Sequence, residues 1–429
     1  MKKTLPLLLL SLFLTSCASR VSKEPSIVTL QIIDKNGFNE TITNKERLKK
    51  FESTNFLEPQ PYQKAVRVFE RKEEGMIPAV VTSYHNNGQI WQYLETTTGR
   101  ANGQFFEWFP DGSLHIQANV VEGIGDLTEA AQETWVFDGE NNVYNEKEQL
   151  MASILYDKGS QTGEARYFFE SGTLKRVVPY HYDRINGVIK TYNEEGEVIG
   201  ESRYENGDLN GLTYFKGDGL TPPYEEQYRE GLLFDATYWN HEGEVISKIE
   251  GGEGEMAVFD MGFLRSFREY QEGNLEGEVK FFTKEGFLES SFMVKEGKKH
   301  GKESVYYIPK RKKIDQKQTL KLSIDWYKDE IHGMVKTWYL DGTEESQREM
   351  MHNLKHGISF AWYKDGSLMH VEEYEEGKLR KGSYMKKGQS LAVSRVDNGL
   401  GTATLFDGEG IFLRRIQYEN GKPQEQSSS

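Results

Sequence analysis

From Gly333 the chain reads GMVKTWYLDGTEESQREMMHNLKHG, and from Gly357 it reads GISFAWYKDGSLMHVEEYEEGKLRKG. In both stretches about eight residues rich in aromatic and β-branched side chains run into an Asp-Gly pair, Asp341-Gly342 or Asp365-Gly366. A second such run ends at another glycine turn, as at Glu376-Gly377. Apolar and polar positions that alternate between turn glycines predict β-hairpins, because glycine accepts positive φ and the strand puts successive side chains on opposite faces. The pattern recurs: Gly163, Gly187 and Gly211 are 24 residues apart, as are Gly277 and Gly301, and Gly333 and Gly357. A second glycine follows nine residues later, as in Gly103 with Gly112, Gly187 with Gly196 and Gly277 with Gly286. A fixed period with two turn residues per unit marks a stack of near-identical two-stranded units and not a single enzyme core.

Following the Asp-Gly-type turn from Gly88 to Gly408 predicts roughly 14 hairpins. The expected fold is all-β: an elongated repeat array of antiparallel hairpins forming a twisted, extended sheet, with a small N-terminal cap. At two strand spacings of about 4.8 Å each hairpin would add roughly 9.6 Å, or on the order of 130 Å for a straight array, which twist would shorten. The residue five after the unit glycine is aromatic in seven copies: Trp108, Phe168, Tyr192, Phe282, Tyr306, Trp338 and Trp362. These are expected to stack on one another as a core column; an aromatic groove for sugars or peptides is the sharper reading.

The segments Tyr204-Glu205-Asn206-Gly207-Asp208-Leu209-Asn210-Gly211, Glu296 to Gly301 and Asn353 to Gly357, followed by Trp362-Tyr363-Lys364-Asp365-Gly366, resemble the MORN-repeat variant family, which includes YwqK-type antitoxins. The resemblance spans residues 79–421. It implies a binding scaffold and brings no catalytic motif with it.

At the N-terminus Lys2 and Lys3 precede the apolar run Leu5 to Leu14 and then Thr15-Ser16-Cys17. This reads as a lipoprotein signal peptide over residues 1–16, too short for a spanning helix, which needs about 20 residues. Cys17, the sole cysteine, would be the lipid attachment site, with palmitate-like acyl chains giving stable anchoring where one chain alone is marginal. Ala18 and Ser19 follow it with no Asp, which favours an outer-membrane over an inner-membrane lipoprotein. Residues 17–27 read as a tether, 28–78 as a cap or small module containing a short helix near Asn44 to Phe51, and 422–429 as a disordered tail.

With 53 Lys and Arg against 67 Asp and Glu, the formal net charge is −14, which argues against nucleic acid as a partner. Two interruptions break the period. Leu127 to Glu133 is helix-compatible and expected to project as a loop on a binding face; Lys310-Arg311-Lys312-Lys313 reads as a solvated basic hairpin tip, or as a contact for lipid phosphates. His300, His332 and His356 precede unit glycines where other copies carry Asn102, Asn186 and Asn210, so a shared tolerance of positive φ explains them better than metal binding. No nucleophile elbow, phosphate loop or paired carboxylates stand out, so no catalytic residue, metal, cofactor or small-molecule substrate is expected. The expected function is a lipid-anchored envelope scaffold for an unidentified protein partner. The alternatives are an antitoxin or immunity protein, and an envelope hydrolase carried by residues 28–78.

Overall fold

A computed structural model describes residues 26–72, 75–309 and 318–424. Cys17 with the signal segment, and the basic run Lys310 to Lys313, lie outside these residues. The described chain is built almost wholly of antiparallel strands, most of them paired with the next in sequence, and divides into two compact units at Thr162/Gly163.

In the first unit Ile27–Asp34 pairs on one side with Asn39–Ile42 and on the other with Tyr62–Phe69. From there a meander runs through Pro78–Tyr84, Ile90–Thr97, Arg100–Trp108 and Leu114–Glu122. The short helix expected near residue 44 is present as Lys45–Leu48, continued by a 3-10 turn, Lys49–Phe51. Its N-cap is Asn44, whose side chain accepts from the amides of Glu46 and Arg47 and so satisfies two of the free N–H groups of the first turn. Leu48 and Phe56 pack with Leu30, Ile42, Ala65 and Tyr84, and the Tyr84 hydroxyl donates to the Phe56 carbonyl at 2.9 Å. The interruption after Glu122 does not project. It folds back, forming a helix at Glu129–Gln132 and burying Leu127, Ala131 and Trp135 against Phe105, Ala118 and Val120. Apolar side chains at three positions of the insert explain why packing prevails over exposure.

In the second unit the hairpins close at two kinds of turn. At Glu376-Gly377 both central residues have positive φ, 47° and 78°, in a two-residue loop between Glu375 and Lys378, which matches the right-handed twist of the flanking strands. At Asp341-Gly342 only the glycine is left-handed; the loop is longer, and the Asp341 carboxylate accepts from the Thr343 amide at 2.9 Å. Just before each longer loop the pairing slips by one residue. All seven aromatic positions sit at such a slip: Trp108, Phe168, Tyr192, Phe282, Tyr306, Trp338 and Trp362. A bulge bends and re-aims its strand. Accordingly these rings are half-buried, and among the described residues no ring contact joins two of them; Trp108 packs on Phe106 and Trp362 on Phe360 instead. The expected column is therefore replaced by contacts within each hairpin.

The residue after the aromatic one links successive hairpins. The hydroxyls of Tyr307, Tyr339 and Tyr363 donate to the carbonyls of Trp338, Trp362 and Met385 at 2.8, 2.8 and 2.7 Å. At Gly103, Gly277, Gly333 and Gly357 the unit glycine has its own cause, an acidic side chain eight residues earlier that folds across the glycine Cα. Asp325 accepts from the Met334 amide at 2.9 Å, and a Cβ on Gly333 would stand 2.9 Å from the Asp325 Cβ. Glu95 does the same over Gly103, accepting from the Gln104 amide at 3.0 Å. His300, His332 and His356 lie within strands, and none has positive φ, so turn geometry does not explain them. The rings of His300 and His332 instead pack against Tyr327 at 5.1 and 6.1 Å. Past residue 421 the sheet continues briefly, with Lys422 and Pro423 paired to Glu419 and Tyr418.

Candidate functional site

Residues directly opposite each other on antiparallel strands put their side chains on the same face. Within the second unit the pairing register therefore defines one row across the strands: Met256, Arg268, Val279, Phe292, Glu303, Ile324, Val335, Arg348, Ser359, Glu372, Gly382 and Val396. An earlier row on the same pattern holds Ile189, Ser202, Thr213, Glu226, Ala236 and Ile249. These rows carry buried side chains such as Ile189, Ala236, Ile249, Val279, Val335 and Val396, and charged groups are set among the apolar ones. Glu303, for example, accepts from Lys299 at 3.1 Å and from the Trp326 indole at 2.7 Å.

Two of these carboxylates are almost fully enclosed, Glu226 at 9% exposure and Glu372 at 6%. They occupy equivalent places 146 residues apart, and their surroundings match residue for residue. Tyr228 donates to Glu226 Oε2 at 3.0 Å and Tyr238 to Oε1 at 2.7 Å. Tyr374 donates to Glu372 Oε2 at 3.1 Å and Tyr384 to Oε1 at 2.8 Å. Leu233 and Leu379, 1% and 0% exposed, fill the same corner of each cluster. Directly opposite each glutamate stands a small hydroxyl, Thr213 or Ser359, buried and without a hydrogen-bond partner among the described residues.

The two sites differ in their cations. Beside Glu372, Lys355 donates to the Tyr374 hydroxyl at 3.1 Å, and His370 Nε2 lies 3.8 Å from Glu372 Oε2. Burial holds both the Lys355 ammonium and the His370 imidazole below their ordinary pKa, while the Glu372 charge pulls each back toward protonation. At the earlier site the corresponding residues are Leu209 and Tyr224. Burial pushes the Glu226 carboxyl above the usual carboxylate range, and the hydrogen bonds from Tyr238 and Tyr228 offset this only in part. Tyr224 is pushed up to about 12, by burial first and then by the charge of Glu226. Arg268 donates to the Ser266 hydroxyl at 3.4 Å, and its charge acts on Tyr270.

A cavity of about 180 Å³ opens beside Glu226, walled by Pro222, Pro223, Tyr224, Tyr238, Trp239, Met256 and Phe259. A second, of about 310 Å³, also borders Glu226 and carries Glu225, Asp235 and Glu250. The surface wealth of glutamate hides these two positions in the sequence; the signal that would find them is Glu-x-Tyr followed by a tyrosine 12 residues after the Glu, repeated at a spacing of 146. Among the described residues no three His, Cys, Asp or Glu side chains are grouped to hold a metal, and no helix is long and apolar enough to cross a membrane.

The family model described as MORN repeat variant matches residues 161–182, which take in one hairpin, Gly163–Phe168 with Leu174–His181. No curated protein matches the chain. Among solved structures, the TcdB2-TccC3-TEV crystal structure is 10% identical, covering 90% of this chain and 24% of that one with a TM-score of 0.16; this chain thus spans about a quarter of its length. A porin-like protein from Bacteroides uniformis is 11% identical, covering 61% of this chain and 99% of that one with a TM-score of 0.15.

Proposed function

We propose that this chain is a non-catalytic repeat scaffold, held at the outer membrane through lipidated Cys17, that offers its sheet to a protein partner. The observation that favours a partner most is the last long strand, Phe412–Glu419. Among the described residues it pairs with Leu400–Phe406 on one side, and on the other with only the short Lys422–Pro423 at its far end. Its start is exposed and apolar: Ile411 at 64%, Phe412 at 54% and Leu413 at 59%. Unpaired strand edges recruit further strands, and an apolar edge left open is a binding surface or an aggregation hazard. The match to the MORN repeat variant is compatible with a binding scaffold.

A photo-crosslinking amino acid at Leu413 is expected to give a discrete higher-mass adduct in cells, whereas the same group at exposed Glu194 gives none. No adduct from Leu413, or equal adducts from both sites, overturns the partner surface. Cys17→Ala is expected to move the protein out of the membrane fraction. If the variant still fractionates with membrane at the mature mass, the anchor is wrong.

A further inference from the structure

We propose that the cavity beside Glu226 is a binding site for a small methylated ammonium ion. Glu226 and Glu372 share their two tyrosine donors, the buried leucine and a facing hydroxyl, and differ in charge balance. Both accept two tyrosine hydroxyls at the same carboxylate oxygens, and both face a buried, unpartnered hydroxyl. Glu372 has Lys355 and His370 beside it. Leu209 and Tyr224 hold those places around Glu226, whose side-chain hydrogen-bond partners among the described residues are the two tyrosines. On the Tyr224 side of Glu226 the first site opens into a cavity.

The walls of that cavity select the cation. Tyr224, Tyr238, Trp239 and Phe259 present aromatic rings, and the Tyr224 and Tyr238 centroids are 6.2 Å apart. Ring faces attract cations, and groups of them recognise quaternary ammonium. The other walls are Thr221, Pro222, Pro223, Met256, Ala257 and Val258, and each Glu226 oxygen already accepts one tyrosine hydroxyl. A primary ammonium brings three N–H donors, each of which must find an acceptor to offset its desolvation, whereas a tetraalkylated nitrogen brings none and needs only charge and apolar or ring surface. The space, about 180 Å³, suits a compact headgroup. Glu225, Asp235 and Glu250 on the neighbouring cavity add negative potential that draws cations to this part of the sheet. Bound cation favours the ionised carboxyl, so affinity should rise with pH as Glu226 deprotonates.

The test is calorimetric titration of the purified full chain, in a detergent without an ammonium group, using tetramethylammonium, choline, methylammonium and sodium chlorides. Tetramethylammonium and choline are expected to bind, with methylammonium at least tenfold weaker and sodium silent. Glu226→Gln should weaken tetramethylammonium at least tenfold and remove the rise of affinity with pH, while Glu372→Gln leaves binding unchanged. Leu209→Lys, which installs the cation of the second site, should abolish binding in a protein whose circular dichroism is unaltered. Phosphatidylcholine vesicles, compared with phosphatidylglycerol vesicles, distinguish a lipid headgroup from a free ion as the source. Lack of tetramethylammonium binding to the parent, or binding that survives both Glu226→Gln and Leu209→Lys, overturns the proposal.

Discussion

The Glu226 and Glu372 clusters are built from the same repeat and differ in one respect: Lys355 and His370 stand beside Glu372, and Leu209 and Tyr224 stand where they would be beside Glu226. The scaffold positions of the repeat, the two tyrosines, the buried leucine and the small hydroxyl, set the geometry of a buried carboxyl. Other positions of the same unit decide whether that carboxyl is balanced from within the protein or left open to a guest. A repeat can thus keep its fold while individual copies take on separate chemistry, since each hairpin is held mainly by its neighbours.

The equivalence of the two scaffolds is the feature whose removal costs most. Leu233→Ala and Leu379→Ala should each lower stability by about 2–5 kcal/mol, because both leucines are fully enclosed and the lost side chain leaves a cavity. Urea unfolding measures this; a cost at one site only would mean that the clusters are not structural copies.

The tyrosines should then reveal the difference in charge. Tyr384→Phe removes a hydrogen bond to Glu372, which has Lys355 and His370 beside it, at about 1.5–3 kcal/mol. Tyr238→Phe removes the matching bond to Glu226, whose carboxyl is biased toward the neutral form, at about 0.5–1.5 kcal/mol. Equal costs, or the reverse order, would break the distinction drawn between the sites.

A smaller effect lies in the pH dependence. Because the folded carboxyl of Glu226 titrates above its unfolded value of about 4.3, the folded state holds the extra proton between the two, and stability from this group is lost as pH rises through that window. The urea midpoint of the parent relative to Glu226→Gln should therefore fall as pH rises from about 4.3. A relative midpoint that climbs with pH would have the wrong sign.

The glycine period made the hairpins legible, because a turn that needs positive φ leaves its mark on residue type. Gly377 and Gly342 stand where that reading puts turns. It did not disclose that Trp338 and Trp362 sit on bulges, since a one-residue slip changes the direction of a ring without changing the spacing of the motif. Nor did it explain Gly333, whose cause is Asp325 on the preceding strand and not a turn. Leu127, Ala131 and Trp135 carried an apolar pattern compatible with a helix, but whether an insert projects or folds back depends on what it can cover. The buried glutamates were hidden for a related reason. Among so many exposed carboxylates, only the tyrosines two and twelve residues later set Glu226 and Glu372 apart, and burial itself is a property of the register between strands.

The claim on which the comparison turns is that Glu226 is an enclosed carboxyl without a cation of its own. Carbon-13 NMR of the glutamate side-chain carboxyls, with the Glu226 signal assigned by its loss in Glu226→Gln, reads that carboxyl directly through a pH titration free of organic cations. The account predicts an inflection above the ordinary glutamate value of about 4.3, moving down when tetramethylammonium is added. An inflection at or below that value in the absence of any added cation would contradict it.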